Sequence, residues 1–323
     1  MSELIPSFHW QRVMIDPWTV DLSLYGWIFL MGFCATAACG LVGNYLILRR
    51  MALMGDAVSH SVLPGLVIAF LLTDSRGTTP MFLGALVAGI FTTVLVESIH
   101  RRTRVKQDAA IGIAFTTLFA IGVLLVSLFS NQIDLDAECV LYGEIAFVPL
   151  EPLVTLGRVE LGPISLVRMM AVLLGVAVLI LVFYKELLIA SFDEALAKAM
   201  RINPTWVHYG LMAVLSVVVV SAFEAVGAIL VIAMLILPGA TASLLTDRLG
   251  VMHFIAIGHA AISAWLGVGL GVWLDCSIGA AMVVGGAFVF GVVWMGTLLT
   301  KLKRQRSKPQ QSGATVSAPV SVS

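Results

Sequence analysis

Charge is what this chain has least of. Only 12% of its 323 residues are Asp, Glu, Lys or Arg, against ~25% in an ordinary soluble domain, while 59% are hydrophobic and mean hydropathy is +1.01. That composition excludes a water-soluble globule and describes a polytopic membrane protein. The 19 basic and 19 acidic residues cancel, so no bulk field marks nucleic acid as a partner and none is expected. Catalytic motifs are missing too. Without G-x-x-x-x-G-K-[ST] the chain does not hydrolyse ATP through a P-loop, and without H-E-x-x-H or G-x-S-x-G the obvious membrane metalloprotease and serine-hydrolase readings fall away. A non-enzyme is expected. The cysteines (Cys34, Cys39, Cys139, Cys276) form no C-x-x-C, which argues against a zinc ribbon or a thioredoxin-type site. The N-terminus lacks the basic start and short apolar core of a cleavable signal. Its Trp10 and Trp18, with Trp27, fit an interfacial approach to a first span.

What the chain does have is long apolar runs. A span needs about 20 apolar residues, and nine candidates meet or approach that: Leu22–Leu48, Met51–Leu72, Pro80–Ile99, Ala109–Ser130, Ile164–Tyr184, Trp206–Ala222, Ala225–Leu245, Val251–Leu274 and Ile278–Thr300. The two runs on either side of Glu224 nearly fuse, so the count is eight or nine. Asp108 is placed to cap the fourth. The predicted fold is all-α: an extracytoplasmic segment 1–21, a transmembrane helix bundle 22–300, and a basic, then Ser/Pro/Ala-rich, disordered tail 301–323. Between the fourth and fifth runs lies an acidic connection, Asn131 to Pro163, in which LYGEIAF suits a short helix.

Lys and Arg cluster on one side of this scheme: Arg49, Arg50, Arg101, Arg102, Arg104, Lys106, Lys185, Lys198, Arg201, Arg248 and the tail. The other side has only Arg12, Arg76, Arg158 and Arg168. The basic side is cytoplasmic by the positive-inside rule. Nine spans then put the N-terminus outside and the C-terminus in the cytoplasm.

Three stretches carry chemistry. RRMALMGDAVSHSVLPG holds Asp56 and His60 four residues apart, hence on one helical face about 6 Å apart along the axis. Ionisable residues within a membrane default to function. One hard oxygen and one borderline nitrogen donor suit a first-row divalent metal. Two donors make a weak site, suited to a transient stop, with further ligands from water, elsewhere in the chain or a second copy. Pro64 and Gly65 follow one turn on and predict a kinked, closely packed helix. SAFEAVGAILVIAMLILPGATASLL places Glu224 on the outer side as an entry ligand or a solvated loop residue, and Pro238–Gly239 is expected to break its helix. SFDEALAKAMRINP, within a polar amphipathic segment of about 185–204, mixes both charge signs (Asp193, Glu194, Lys198, Arg201) with Ala195, Leu196 and Met200. An interfacial helix would be more uniformly basic, so docking on a soluble partner is preferred. Glu97, His100, His208, His253 and His259 read as bland: snorkelling at a helix end or satisfied within the bundle.

These three stretches, in this order and spacing, resemble the membrane permease subunit of bacterial ABC importers for manganese, zinc and iron, over about Leu22 to Thr300. The resemblance implies a multi-pass protein of the bacterial cytoplasmic membrane, a second permease subunit, a cytoplasmic ABC ATPase pair and an extracytoplasmic metal-binding protein. It implies that Asp56 and His60 match the intramembrane metal site and that Asp193 to Asn203 matches the coupling helix on the ATPase. The metal is cargo, and no permanently bound cofactor is expected. Two positions depart from the pattern. Arg201 stands where Gly often precedes the Ile of the coupling segment, so the local turn is expected to differ, and LDCSIGAA lacks a Pro. The alternatives are a permease for a chelated metal or cobalamin-like cofactor, and an ATP-independent secondary metal transporter. One tension remains. Asp56 lies four or five residues inside the cytoplasmic boundary, whereas transport sites are expected nearer the midplane. Either the Arg49–Leu53 turn is sunk among other helices, or the pair is a late, inward-side stop.

Overall fold

The computed structural model describes residues 6–74, 78–129, 145–156 and 159–306. Among them, eight helices are long and apolar enough to cross a membrane. They are α2 (Leu22–Leu48), α3 (Met54–Thr73), α4 (Thr78–Arg102), α5 (Gln107–Leu128), α6 (Ile164–Val182), α9 (Pro204–Val226), α11 (Leu249–Leu274) and α12 (Ile278–Arg306). A ninth apolar helix, α10 (Ala228–Leu245), has 18 residues, about 27 Å, and approaches the hydrocarbon thickness. Helices are the solution here because each satisfies its own backbone polar groups where no water can. Shorter elements are α1 (Asp16–Thr19), α7 (Tyr184–Phe192) and α8 (Glu194–Ala199).

Helix α2 is the axis of the bundle. Every residue from Cys34 to Leu46 is buried, as expected of a helix that is apolar all round. It packs against α6, α9, α10 and α11. Small residues set the approach. A Cβ at Gly43 would overlap the Leu235 carbonyl oxygen of α10, and one at Gly40 would stand 2.9 Å from Pro238. With lipid as apolar as Leu, such close backbone contact replaces the hydrophobic effect as the attraction between helices. The same device recurs at Gly65 against Gly84 (α3 on α4), at Gly122 against Pro64 (α5 on α3), and at Gly267 against Met282 (α11 on α12).

Several local expectations are corrected. Helix α5 begins at Gln107 with Lys106 flanking it. Asp108 makes no capping bond and sits inside the first turn, where its charge still favours the helix N-terminus. Pro238 does not break its helix: α10 runs through it, as α3 runs through Pro64. The connection before α6 contains a 3₁₀ turn (Ile145–Leu150) and a small antiparallel hairpin, β1 (Leu153–Leu156) with β2 (Val159–Pro163), which the all-α expectation lacked. Glu151 of that connection caps α6, accepting from the Ser165 backbone N–H at 2.9 Å and its hydroxyl at 2.7 Å. Asp134, Asp136, Glu138, Cys139, Glu144, Arg76, Arg158 and the tail beyond Arg306 lie outside the described residues.

The basic residues do gather at one end. A cavity of about 600 Å³ there is lined by Arg49, Arg50, Arg101 and Lys198. At the opposite end, Arg12, Asp16, Asp21 and Asp275 line a cavity of about 990 Å³. The N-terminal segment is tied across that end: the Trp273 indole donates to the Pro6 carbonyl at 3.0 Å, and Phe8 packs edge-on against Trp273.

The packing predicts a contrast between glycines. Gly43→Ala pushes a methyl into backbone and should cost about 1–3 kcal/mol, the usual range for overpacking. Gly175→Ala on α6 meets nothing within 4 Å and should leave stability unchanged or slightly raised. Thermal unfolding midpoints in detergent check both.

Candidate functional site: a carboxylate and an imidazole on α3

Asp56 and His60 are brought together. His60 Nε2 lies 3.2 Å from Asp56 Oδ1, with the side chains 26% and 27% exposed. The imidazole is flanked by two rings of α5, one turn apart. Phe115 is tilted at 5.8 Å and Phe119 is edge-on at 5.7 Å between centroids. These rings wall the pair with apolar surface and restrict the imidazole. Behind it, the Thr92 hydroxyl of α4 donates to the Ser61 hydroxyl at 2.6 Å, and Ser61 and Ser59 return their own donors to α3 carbonyls. The neighbouring polar groups are thereby used up within the helix pair, leaving Asp56 and His60 as the donors available to an ion. Among the described residues no group of three or more His, Cys, Asp or Glu gathers in one place.

The depth question resolves toward a sunken turn. Gly55 packs on Leu235 of α10, ten residues before that helix ends, so Asp56 lies about 15 Å inside the basic terminus of α10. Met51 and Met54 are 5% and 0% exposed. The Arg49 guanidinium Nε donates to Ser191 at 3.2 Å, placing α7 against this turn. The turn therefore lies among other helices, and the pair is deeper than its distance from Arg49 and Arg50 along the chain implies.

Glu224 does not join the pair. It lies in the last turn of α9, about 30 Å along that helix from its basic end, just before Gly227, whose φ of +87° makes the corner into α10. Both Pro–Gly dipeptides act in packing. Pro64 abuts Gly122, Gly65 admits the Gly84 carbonyl, Pro238 fits Gly40, and Gly239 faces Asn44.

The segment expected to couple to a partner forms two short helices, α7 and α8. Asp193 is the N-cap of α8, accepting from Ala195 N–H at 2.9 Å and Leu196 N–H at 3.0 Å. Ala197 is fully buried, while Phe192, Ala195, Leu196, Lys198, Met200 and Arg201 are exposed. Glu194 opens the helix. The helix closes with Arg201 N–H on Lys198 O (3.1 Å) and Ile202 N–H on Ala197 O (2.9 Å), the paired bonds of a Schellman turn. That motif needs a left-handed residue, and Arg201 supplies it at φ +61°. Arg201 here adopts a left-handed conformation that favours glycine.

Two polar clusters had no local signal in the sequence. Asn44 Nδ2 donates to His253 Nδ1 at 2.9 Å, and His253 Nε2 lies 3.2 Å from the Tyr45 hydroxyl, joining α2 to α11. Glu97, expected to snorkel, is buried at 5%. It contacts Arg101 on its own helix and His208 on α9. Residues 111 positions apart have no spacing that could announce such a pair. His259 is held within the bundle by one ring nitrogen: its Nε2 donates to Gly286 O at 3.1 Å, while its buried Nδ1 has no hydrogen-bond partner among the described residues.

The match to known proteins fits this geometry. Residues 23–297 match the model of the ABC 3 transport family. The chain belongs to that family. It is a multi-pass membrane permease of ABC transporter type. It is 42% identical to the manganese transport system membrane protein MntD of Bacillus subtilis, over 90% of this chain and all of that one. It is 41% identical to the zinc transport system membrane protein TroD of Treponema pallidum, over 83% of this chain and 72% of that one. Among solved structures it resembles PsaBC from Streptococcus pneumoniae in complex with Fab, with a TM-score of 0.72 and 32% identity, covering 90% of this chain and 98% of that one.

The Arg201 geometry makes a prediction for this ABC 3 permease. Left-handed backbone costs a non-glycine residue roughly 1–2 kcal/mol, so Arg201→Gly should slow amide exchange in α8. Arg201→Val, β-branched at the same φ, should accelerate it. Hydrogen exchange read by mass spectrometry on Asp193–Asn203 separates the two.

Proposed function

We propose that this permease belongs to an ATP-driven importer of a divalent first-row metal (manganese, iron or zinc) and that Asp56 and His60 hold the ion during passage. The observation that carries the reading is the carboxylate–imidazole pair 3.2 Å apart on one face of α3, at depth, with one side still open. An ion entering between Oδ1 and Nε2 replaces their mutual contact with two bonds of its own. Binding then competes with protons, because the imidazole must be neutral to ligate, so occupancy falls as the medium is acidified. Two donors fall short of the four to six that such ions usually take. A second permease copy facing the open side would bring another carboxylate and imidazole, giving two oxygens and two nitrogens. The names of the relatives, which include manganese, zinc and, at 34% identity in Haemophilus influenzae, a probable iron transport system, support a site that does not choose one metal by ligand type alone.

In the same reading an extracytoplasmic binding protein delivers the ion at the end where Glu224 ends α9, and Glu224 assists entry. The basic end is cytoplasmic. There α8, with Leu196 and Met200 outward and Lys198 and Arg201 beside them, docks on the ATPase subunit. Its movement reorients the bundle between outward-open and inward-open states.

Asp56→Ala and His60→Ala should each abolish metal accumulation while the complex still assembles. Near-normal uptake by either would sink the ligand assignment. Glu194→Arg should cut the amount of ATPase that co-purifies, whereas an unchanged yield would favour a lipid-facing α8. Isothermal titration of Mn²⁺ into purified permease dimer should give about one ion per two chains, and one per chain would remove the need for a shared site.

A further inference from the structure

We infer that the contact between Glu97 and His208 is the link through which movement of α8 reaches the helices that carry Asp56 and His60. The inference rests on the reading of α8 as the ATPase-docking element. Glu97 and His208 belong to different helices, α4 and α9, and their side chains are 7% and 11% exposed. Nε2 and Oε2 are 3.1 Å apart. The other carboxylate oxygen is held by Arg101. A buried ionisable cluster of this kind is weak support for stability, but losing one partner leaves the others stranded. Such clusters are best attested where they fix one arrangement of two elements against another.

The two sides of the contact are stiffly connected to the two ends of the transport cycle. On one side, His208 is the fifth residue of α9. Four residues, Met200 to Asn203, separate α8 from α9. The Schellman bonds close that connection from the α8 side, and Asn203 closes it from the other by accepting from Thr205 N–H at 3.0 Å. A displacement of α8 therefore arrives at His208 with little slack. On the other side, α4 is fastened to α3 by the 2.6 Å bond from Thr92 to Ser61, next to His60, and by backbone-close packing of Gly84 on Gly65. A pull on Glu97 is a pull on the α3–α4 pair. The contact is not a second stop for the ion. Arg101 already occupies the carboxylate, and Arg49, Arg50 and Lys198 line the same cavity. A divalent cation would be repelled there.

The test uses the complete transporter in proteoliposomes, with metal-loaded binding protein outside. Three quantities are read: complex yield, ATP hydrolysed and metal moved. Glu97→Gln and His208→Ala should retain yield and hydrolysis within about twofold while metal moved per ATP falls about tenfold, within the usual span of coupling between sites. The double variant should be no worse than either single one, as for residues that act as a unit. His208→Gln, whose amide can still donate to the carboxylate, should keep most of the ratio. The proposal is overturned if transport and hydrolysis fall together at an unchanged ratio, or if neither changes. It is also overturned if the variants lose yield instead, since that is what a simple fold staple would do. Failure of the docking reading looks different: Glu194→Arg and Leu196→Arg would leave yield and hydrolysis untouched, whatever the ratio does at Glu97.

Discussion

A carboxylate and an imidazole sit about 15 Å inside the basic end of this bundle, beside hydroxyls that are already paired with one another and with carbonyls. In hydrocarbon an unpartnered polar atom costs several kcal/mol. Ser59, Ser61 and Thr92 turn their hydroxyls onto carbonyls and onto each other, and Phe115 and Phe119 close one side with rings. What remains on that face of α3 is one oxygen and one nitrogen aimed at each other. α2 is buried on every side so that α10 can press Leu235 between Gly43 and Gly55, and that contact sets the depth of Asp56.

Much of this could be read from the chain alone. The apolar runs located the spanning helices to within a few residues, because a helix in lipid is defined by where its neighbours stop being apolar. Asp56 and His60 were legible because ionisable residues are rare in such runs and i,i+4 spacing fixes their common face. Depth was not legible. Counting residues from Arg49 assumes that the basic turn lies at the membrane surface, whereas Met51, Met54 and the bond to Ser191 show it covered. Pro238 was read as a break because propensity rules describe isolated helices, whereas Pro64 was read as part of a kinked, closely packed helix. Here Pro64 meets Gly122 and Pro238 meets Gly40, so each proline serves as a packing surface within an unbroken helix.

Long-range polar contacts were the least legible feature. Glu97 looked like a snorkelling acid because it sits one turn from Arg101 near a helix end, and nothing nearby in sequence names His208. Asn44 and His253 are 209 residues apart. The coupling segment is an intermediate case. Asp193 was read from sequence only as one charge of a mixed-charge segment, and the structure makes it an N-cap with two backbone donors. The left-handed turn at Arg201 comes with the Schellman bonds that close α8, next to the buried Ala197.

The weakness of a two-donor site bears on mechanism. A chelate tight enough to extract the ion from a binding protein and never release it would stop transport. If two copies each contribute one carboxylate and one imidazole, the number of ligands depends on how the copies are placed. Helices that move apart reduce four donors to two, and affinity falls without any donor changing its chemistry. Release is then a geometric consequence of reorientation. On this account α3 carries the ligands, α4 and α5 hold it straight, and the connection from α8 through α9 to α4 decides when the two half-sites part.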